Sequence, residues 1–119
     1  MRAIILVSHG SRFAGACREI QQLARRLKRK SAIPIFECAF LEMNRPTIPQ
    51  AIQTCARKGA KEIMILLNFL NLGSHVEKDI PRLIHAAQKK YPKINFNSAP
   101  HLGMHPKLET IFLDMIGRI

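Results

Sequence analysis

The chain has 119 residues, 47% of them hydrophobic, and carries 19 Lys and Arg against eight Asp and Glu, for a net charge of +11. That size and apolar content suit a single domain over residues 1–119, although so small a domain leaves much of its sheet in need of cover, which burial in a homo-oligomer is one way to supply. The positive excess concentrates anions at the surface, and by itself does not choose among nucleic acid, a membrane surface and a polycarboxylate.

Short apolar runs alternate with amphipathic stretches four times. Ala3–Val7 reads as a strand ending at His9-Gly10. Residues 14–30 place Cys17, Ile20, Leu23, Ala24 and Leu27 at helical spacing. The basic run Arg25-Arg26-Leu27-Lys28-Arg29-Lys30 falls at the end of that helix, where cations oppose the dipole, so a nucleic-acid role is not assigned to it. Ile33–Phe40 is a second strand, followed by a loop with Glu42, Asn44 and Pro46. A helix is expected from Thr47, its N-cap, to about Lys58, with Gly59 just past its end. Ile63–Leu70 is the most apolar strand, interrupted by Asn68, and leads into Asn71-Leu72-Gly73-Ser74-His75. The third helix presents Ile80, Leu83, Ile84 and Ala87 on one face, with Pro81 expected in its first turn. Lys93–Ser98 is the last strand, Ala99–Pro106 a loop with His101 and His105, and a terminal helix follows.

This βαβαβαβα order predicts an α/β fold, a single four-unit lobe of Rossmann or flavodoxin type whose mostly parallel sheet is covered by helices on both faces. Cys17, Cys38 and Cys55 form no C-x-x-C pair and fall at apolar positions, which predicts buried reduced thiols and a cytoplasmic protein. The opening run Ala3–Val7 is too short for a signal peptide or a membrane span, so no membrane association is expected. Six Phe, one Tyr and no Trp argue against base stacking, and no nucleic-acid partner is expected.

Histidine distribution carries most of the functional information. His9, His75, His101 and His105 all follow predicted strands, and the carboxyl ends of strands are where α/β folds bind ligands. His85 lies mid-helix and reads as structural or solvated. The same edge receives Ser11 and Arg12 from the first loop, Glu42 and Asn44 from the second, and Asn71, Gly73 and Ser74 from the third. Imidazoles with one carboxylate suit Fe, Co, Ni or Zn better than Mg or Ca. The chain has neither a G-x-S-x-G elbow, a G-x-G-x-x-G fingerprint nor a P-loop, so no support exists for a serine hydrolase, a dinucleotide site or an NTP site.

Four loop signatures, in order, complete the picture. They are Val7-Ser8-His9-Gly10-Ser11-Arg12; Ala39-Phe40-Leu41-Glu42 with Pro46-Thr47-Ile48-Pro49; Phe69-Leu70 with Gly73-Ser74-His75-Val76-Glu77-Lys78-Asp79-Ile80-Pro81; and Pro100-His101-Leu102-Gly103-Met104-His105-Pro106. On these residues the chain resembles, along essentially its whole length, the short-form type II chelatases, the CbiX-type sirohydrochlorin chelatases. Asn68 stands where that family often has proline, and Phe13 where an acidic residue is frequent.

The resemblance implies a chelatase-like fold and a metal chelatase, a lyase inserting a divalent metal into sirohydrochlorin in cobalamin or related tetrapyrrole synthesis. Co²⁺ is the expected metal substrate, with Fe²⁺ and Ni²⁺ as alternatives and no organic cofactor. A non-catalytic metal-binding protein is the rival reading. His9 and His75 match the family's metal-handling histidines and are taken as metal ligands and catalytic groups, with Glu42 as a third ligand or proton acceptor. Ser11, Arg12, Gly73 and Ser74 are assigned to binding the tetrapyrrole, while His101 and His105 are read as shaping their loop. Longer family members have two such lobes facing one cleft, so a homodimer is implied.

Overall fold

The computed structural model describes residues 1–118, with elements β1 (Arg2–Ser8), α1 (Ala14–Ser31), β2 (Ile35–Phe40), α2 (Ile48–Arg57), β3 (Glu62–Leu67), α3 (Ser74–Lys90), β4 (Asn95–Ser98), a short 3₁₀ turn at Leu102–Met104, and α4 (Leu108–Ile116). All strand pairings are parallel and the order is β2-β1-β3-β4. This is the flavodoxin-like order, whose crossovers reverse direction between β1 and β3.

Alternation along the strands explains the layering. On β3, Ile63, Ile65 and Leu67 point to the face covered by α2 and α3 and are buried, as are Ile5 and Val7 of β1. Each such aliphatic side chain contributes about 1.5–3 kcal/mol by leaving water. The opposite face carries Ile4, Leu6 and Phe36, packed under Ile20, Leu23, Ala24 and Leu27 of α1. The expected helical stripe of α1 therefore makes the predicted contact. Met64 and Leu66, on the same face but further from α1, remain only half-buried. Helix α4 does not cover them: it packs against the 3₁₀ turn, and the side chains from Ile111 to Ile116 are exposed.

Several boundaries differ from the sequence-based expectation, each for a local reason. Strand β2 begins at Ile35 because α1 ends in a left-handed residue, Ala32 (φ 59°), whose N–H donates to the Lys28 carbonyl. Strand β3 stops at Leu67 because the Asn68 amide nitrogen donates to Ser8 Oγ at 3.1 Å while its backbone N–H donates to the Val7 carbonyl at 2.8 Å. Strand β4 begins at Asn95, after Gln88 of α3 has donated to the Ile94 carbonyl at 2.8 Å. Pro81 lies inside α3 rather than in its first turn, since that helix already starts at Ser74. Cys55 is buried as expected, but Cys17 and Cys38 are only half-buried. Among the described residues no helix is long and apolar enough to cross a membrane.

Thr47 caps α2 through a full capping box: its hydroxyl accepts from Gln50 N–H at 3.3 Å, and the Gln50 side chain accepts from Thr47 N–H at 2.9 Å. Replacing Thr47 by Ala should lower stability by about 1 kcal/mol, read as an earlier urea midpoint. Ala32→Gly should move the midpoint the other way by up to about 1 kcal/mol, because glycine removes the left-handed Cβ penalty.

Candidate metal-handling site

The reversal of crossover direction makes a crevice between the loops leaving β1 and β3, where α/β sheets place their ligands. The β1 loop begins with His9 and the β3 loop runs into His75. The two loops leave adjacent strands, β1 and β3, whose following helices pack on opposite faces of the sheet.

On the β1 side, the strand pairing with β2 continues beyond the sheet. Leu41 N–H donates to the Ser8 carbonyl at 3.0 Å and Glu42 N–H to the His9 carbonyl at 3.1 Å. This brings the side chains together, with His9 Nε2 2.8 Å from Glu42 Oε1. Gly10 makes the approach possible: its φ is +110°, and a Cβ there would overlap the Glu42 carbonyl oxygen. The Asn44 side-chain oxygen accepts from Ser11 N–H at 2.7 Å, and Ser11 Oγ accepts from Phe13 N–H at 3.1 Å. The His9 ring meets Phe69 edge to face, with centroids 6.4 Å apart. A shallow depression of about 290 Å³ opens beside His9 and includes Ser8, Gly10, Ser11, Cys17 and Asn68.

On the β3 side, His75 is not in a loop but in the first turn of α3. There its Nε2 lies 2.9 Å from Oδ2 of Asp79, one helical turn on, and Arg82 Nη1 is 3.9 Å from the other Asp79 oxygen. Gly73 occupies the N-cap position and Ser74 the first helical position, both exposed. Asp79 is a residue that the sequence reading did not assign to the site. Its signal was present as a His and an Asp at i and i+4, which a helix places on one face.

The remaining candidates are placed less closely. Arg12 is exposed and forms no ion pair among the described residues. His101 precedes the 3₁₀ turn without a side-chain cap bond, whereas His105 Nδ1 accepts from Lys107 N–H at 3.0 Å and so shapes the turn into α4. His85 is exposed on α3. Among the described residues no cluster of three or more His, Cys, Asp or Glu side chains is arranged to hold a metal. The arrangement is two separate imidazole–carboxylate pairs rather than one closed cage.

Both pairs are open to solvent, with His9 57% and His75 86% exposed, and an exposed ion pair contributes at most about 1 kcal/mol to stability. Two donor atoms about 3 Å apart can bind one divalent ion at bonds of about 2.0–2.2 Å, so each pair has the bite of a bidentate ligand. Burial pushes the Cys55 thiol up to about 12 and raises Cys38 as well, so both stay protonated near neutral pH.

The CbiX family model matches residues 3–119. The chain belongs to the CbiX family. It is 40% identical over 84 residues to the sirohydrochlorin cobaltochelatase of Methanocaldococcus jannaschii, an alignment covering 71% of this chain and 59% of that protein. It is 34% identical over 113 residues to the chloroplastic sirohydrochlorin ferrochelatase of Arabidopsis thaliana, covering 95% of this chain and 50% of the relative. The sirohydrochlorin chelatase SirB from Bacillus subtilis subspecies spizizenii, solved in complex with cobalt, superposes with a TM-score of 0.87 at 29% identity, covering 99% of this chain and 50% of that one. The chain thus spans about half to three fifths of the length of these relatives. The α/β fold of this CbiX chain is the one expected from its strand and helix pattern.

Gly10→Ala should cost more than about 2 kcal/mol, from a left-handed backbone and a blocked Glu42 carbonyl. Gly73→Ala, where a Cβ meets nothing within 4 Å, should cost less than about 1 kcal/mol. Urea titrations of the two variants check the contrast, and equal losses would contradict the role given to Gly10.

Proposed function

We propose that this chain is a sirohydrochlorin metal chelatase that inserts a divalent ion, cobalt first and iron or nickel second, and that it works as a homodimer. The observation that carries this reading is the placement of two open imidazole–carboxylate pairs beside the crossover reversal, His9–Glu42 where the loops after β1 and β2 meet and His75–Asp79 in the first turns of α3 after β3. A transfer site must release what it binds, and two donors per ion leave most coordination positions free for incoming ring nitrogens; a four-ligand cage would retain the ion. The names of the relatives support the substrate class, and the cobalt-bound SirB structure supports the metal.

Insertion replaces two pyrrole N–H protons by one M²⁺ and releases both protons. In the proposed mechanism one histidine presents the ion while the other accepts one pyrrole proton on its free imidazole nitrogen, and the second proton passes to solvent water at this open site. Glu42 and Asp79 hold the ring orientations and stabilise the imidazolium when it forms. Arg12, Ser11 and the N-terminus of α3 at Gly73-Ser74 orient the acid side chains of the ring, since helix N-termini and guanidinium groups both favour carboxylates. The net charge of +11 then serves a polycarboxylate rather than nucleic acid or membrane. A second copy would supply the other wall of the cleft, and the three unpaired thiols fit a reducing cytoplasm.

The test is an anaerobic absorbance assay of sirohydrochlorin with Co²⁺, Fe²⁺ or Ni²⁺. Wild type should exceed the spontaneous rate, and His9→Ala and His75→Ala should each lower the catalysed rate by about 10²-fold or more. Asp79→Asn should lower it about 10-fold by loosening His75. Co²⁺ binding without acceleration would leave a metal carrier and end the enzyme reading. Full activity in both histidine variants would overturn the site assignment.

A further inference from the structure

Helix α1 opens on a residue that does nothing for a helix. Its N-cap is Phe13, extended at φ −86° and ψ 116°, with no side-chain cap bond, and no acidic residue stands in the first turn. Asp, Asn, Ser or Thr at that position would accept from an orphan N–H of the first turn and stabilise the helix, as Thr47 does for α2. Phe13 forgoes the cap and belongs to neither core cluster. At 79% its ring is the most exposed large hydrophobic side chain among the described residues.

Two further apolar side chains stand uncovered at the same carboxyl edge, Met43 after β2 at 61% and Leu70 after β3 at 52% exposure. Each is tied to the candidate site through its chain neighbours. Phe13 N–H donates to Ser11 Oγ at 3.1 Å, and Ser11 N–H donates to the Asn44 side-chain oxygen at 2.7 Å. Met43 lies between Asn44 and Glu42, whose carboxylate meets His9. Its backbone is left-handed at φ 67°, a conformation that strains any residue with a Cβ, and the bond from Asn44 N–H to the Glu42 carbonyl at 2.8 Å closes the turn around it. Leu70 follows Phe69, whose ring meets His9 edge to face and whose carbonyl accepts from Gly103 N–H at 3.0 Å. Three hydrogen-bonded loops thus each hold one apolar side chain in water at the edge that carries the His9–Glu42 pair.

We propose that Phe13, with Met43 and Leu70, seats one face of the substrate macrocycle, and that Phe13 sets the affinity for the ring. The identity of the ring comes from the chelatase reading, on which this assignment rests. Such a substrate joins a flat conjugated face, which gains by leaving water, to acid side chains that seek cations. An aromatic ring stacks on a conjugated face, and a thioether adapts to its outline. Phe13 also keeps a charge away. An aspartate in its place would cap α1 but set a carboxylate next to Arg12, which is exposed and forms no ion pair among the described residues. That carboxylate would compete for the guanidinium and repel the incoming acid groups. Helix stability has been given up where an apolar, uncharged contact serves binding.

Stability and binding should therefore move in opposite directions in one variant of the full chain. Phe13→Asp should raise the urea midpoint by supplying the missing cap, and should raise the KM for sirohydrochlorin in the Co²⁺ assay at least about 10-fold while kcat changes less than about 2-fold. Metal-free titration of sirohydrochlorin, followed by absorbance, should show the same loss of affinity. Phe13→Ala should weaken binding about 5-fold without the added charge, and Phe13→Trp should keep it within about 2-fold of wild type. Wild-type KM and ring affinity in Phe13→Asp overturn the seat. So does a loss of affinity that tracks a loss of subunit association in sedimentation, which would make Phe13 a contact between copies. A wild type that binds the ring through Phe13 and inserts no metal ends the chelatase reading and leaves the seat standing. Insertion indifferent to Phe13 does the reverse.

Discussion

The pairing of β1 directly with β3 is the constraint on which the rest of the molecule depends. It puts the two strands whose following helices take opposite faces side by side, and so opens the crevice between their loops. The pairing is held by the buried aliphatic register Ile5–Ile65 and Val7–Leu67 and finished by Asn68, which reaches across to Ser8 just where the sheet ends. Everything assigned to metal handling hangs from that last rung: His9 follows Ser8 by one residue, and the path to His75 starts at Asn68. Parallel strands with both faces in demand are built from continuous apolar runs, and β1 and β3 are the two most apolar runs in the chain.

Charge and burial then divide the labour. The core is apolar, with Ser8 as the buried polar side chain among the described residues, and it is satisfied by Asn68. Polar chemistry is pushed to the carboxyl edge, where the imidazoles stay in contact with water. An enclosed pair would bind metal more tightly and exchange it more slowly, since its donors could not be rehydrated on release. Openness is therefore part of what the geometry offers.

The fold was legible because its signals are local and periodic. Alternating apolar runs and the helical stripe of α1 gave the order of elements, and Thr47 gave a cap that the structure forms in full. Two misplaced boundaries lie where a side-chain bond overrides local preference, Asn68 on Ser8 ending β3 three residues early and Gln88 delaying β4, and a third lies where the left-handed Ala32 that closes α1 delays β2. Of the site residues, His9 and Glu42 were readable as candidates, but their contact depends on strand pairing across two loops and on Gly10 having no side chain. Asp79 stands four residues after His75 in the sequence, a spacing that brings two side chains together only in a helix, and the start of α3 at Ser74 is what makes it one. The projection of α4 could not be read at all, since an apolar stripe says that a helix is covered and not by what.

The two imidazole–carboxylate pairs differ in how they are built. His75 and Asp79 belong to one helical turn, so their separation is maintained by backbone hydrogen bonds that form and break with α3 alone. His9 and Glu42 come from loops that meet only while the edge strand β2 remains zipped to β1. Edge strands open locally at lower free energy than central ones. One donor pair is thus a fixed tooth, and the other is a jaw whose spacing follows the fraying of the sheet edge.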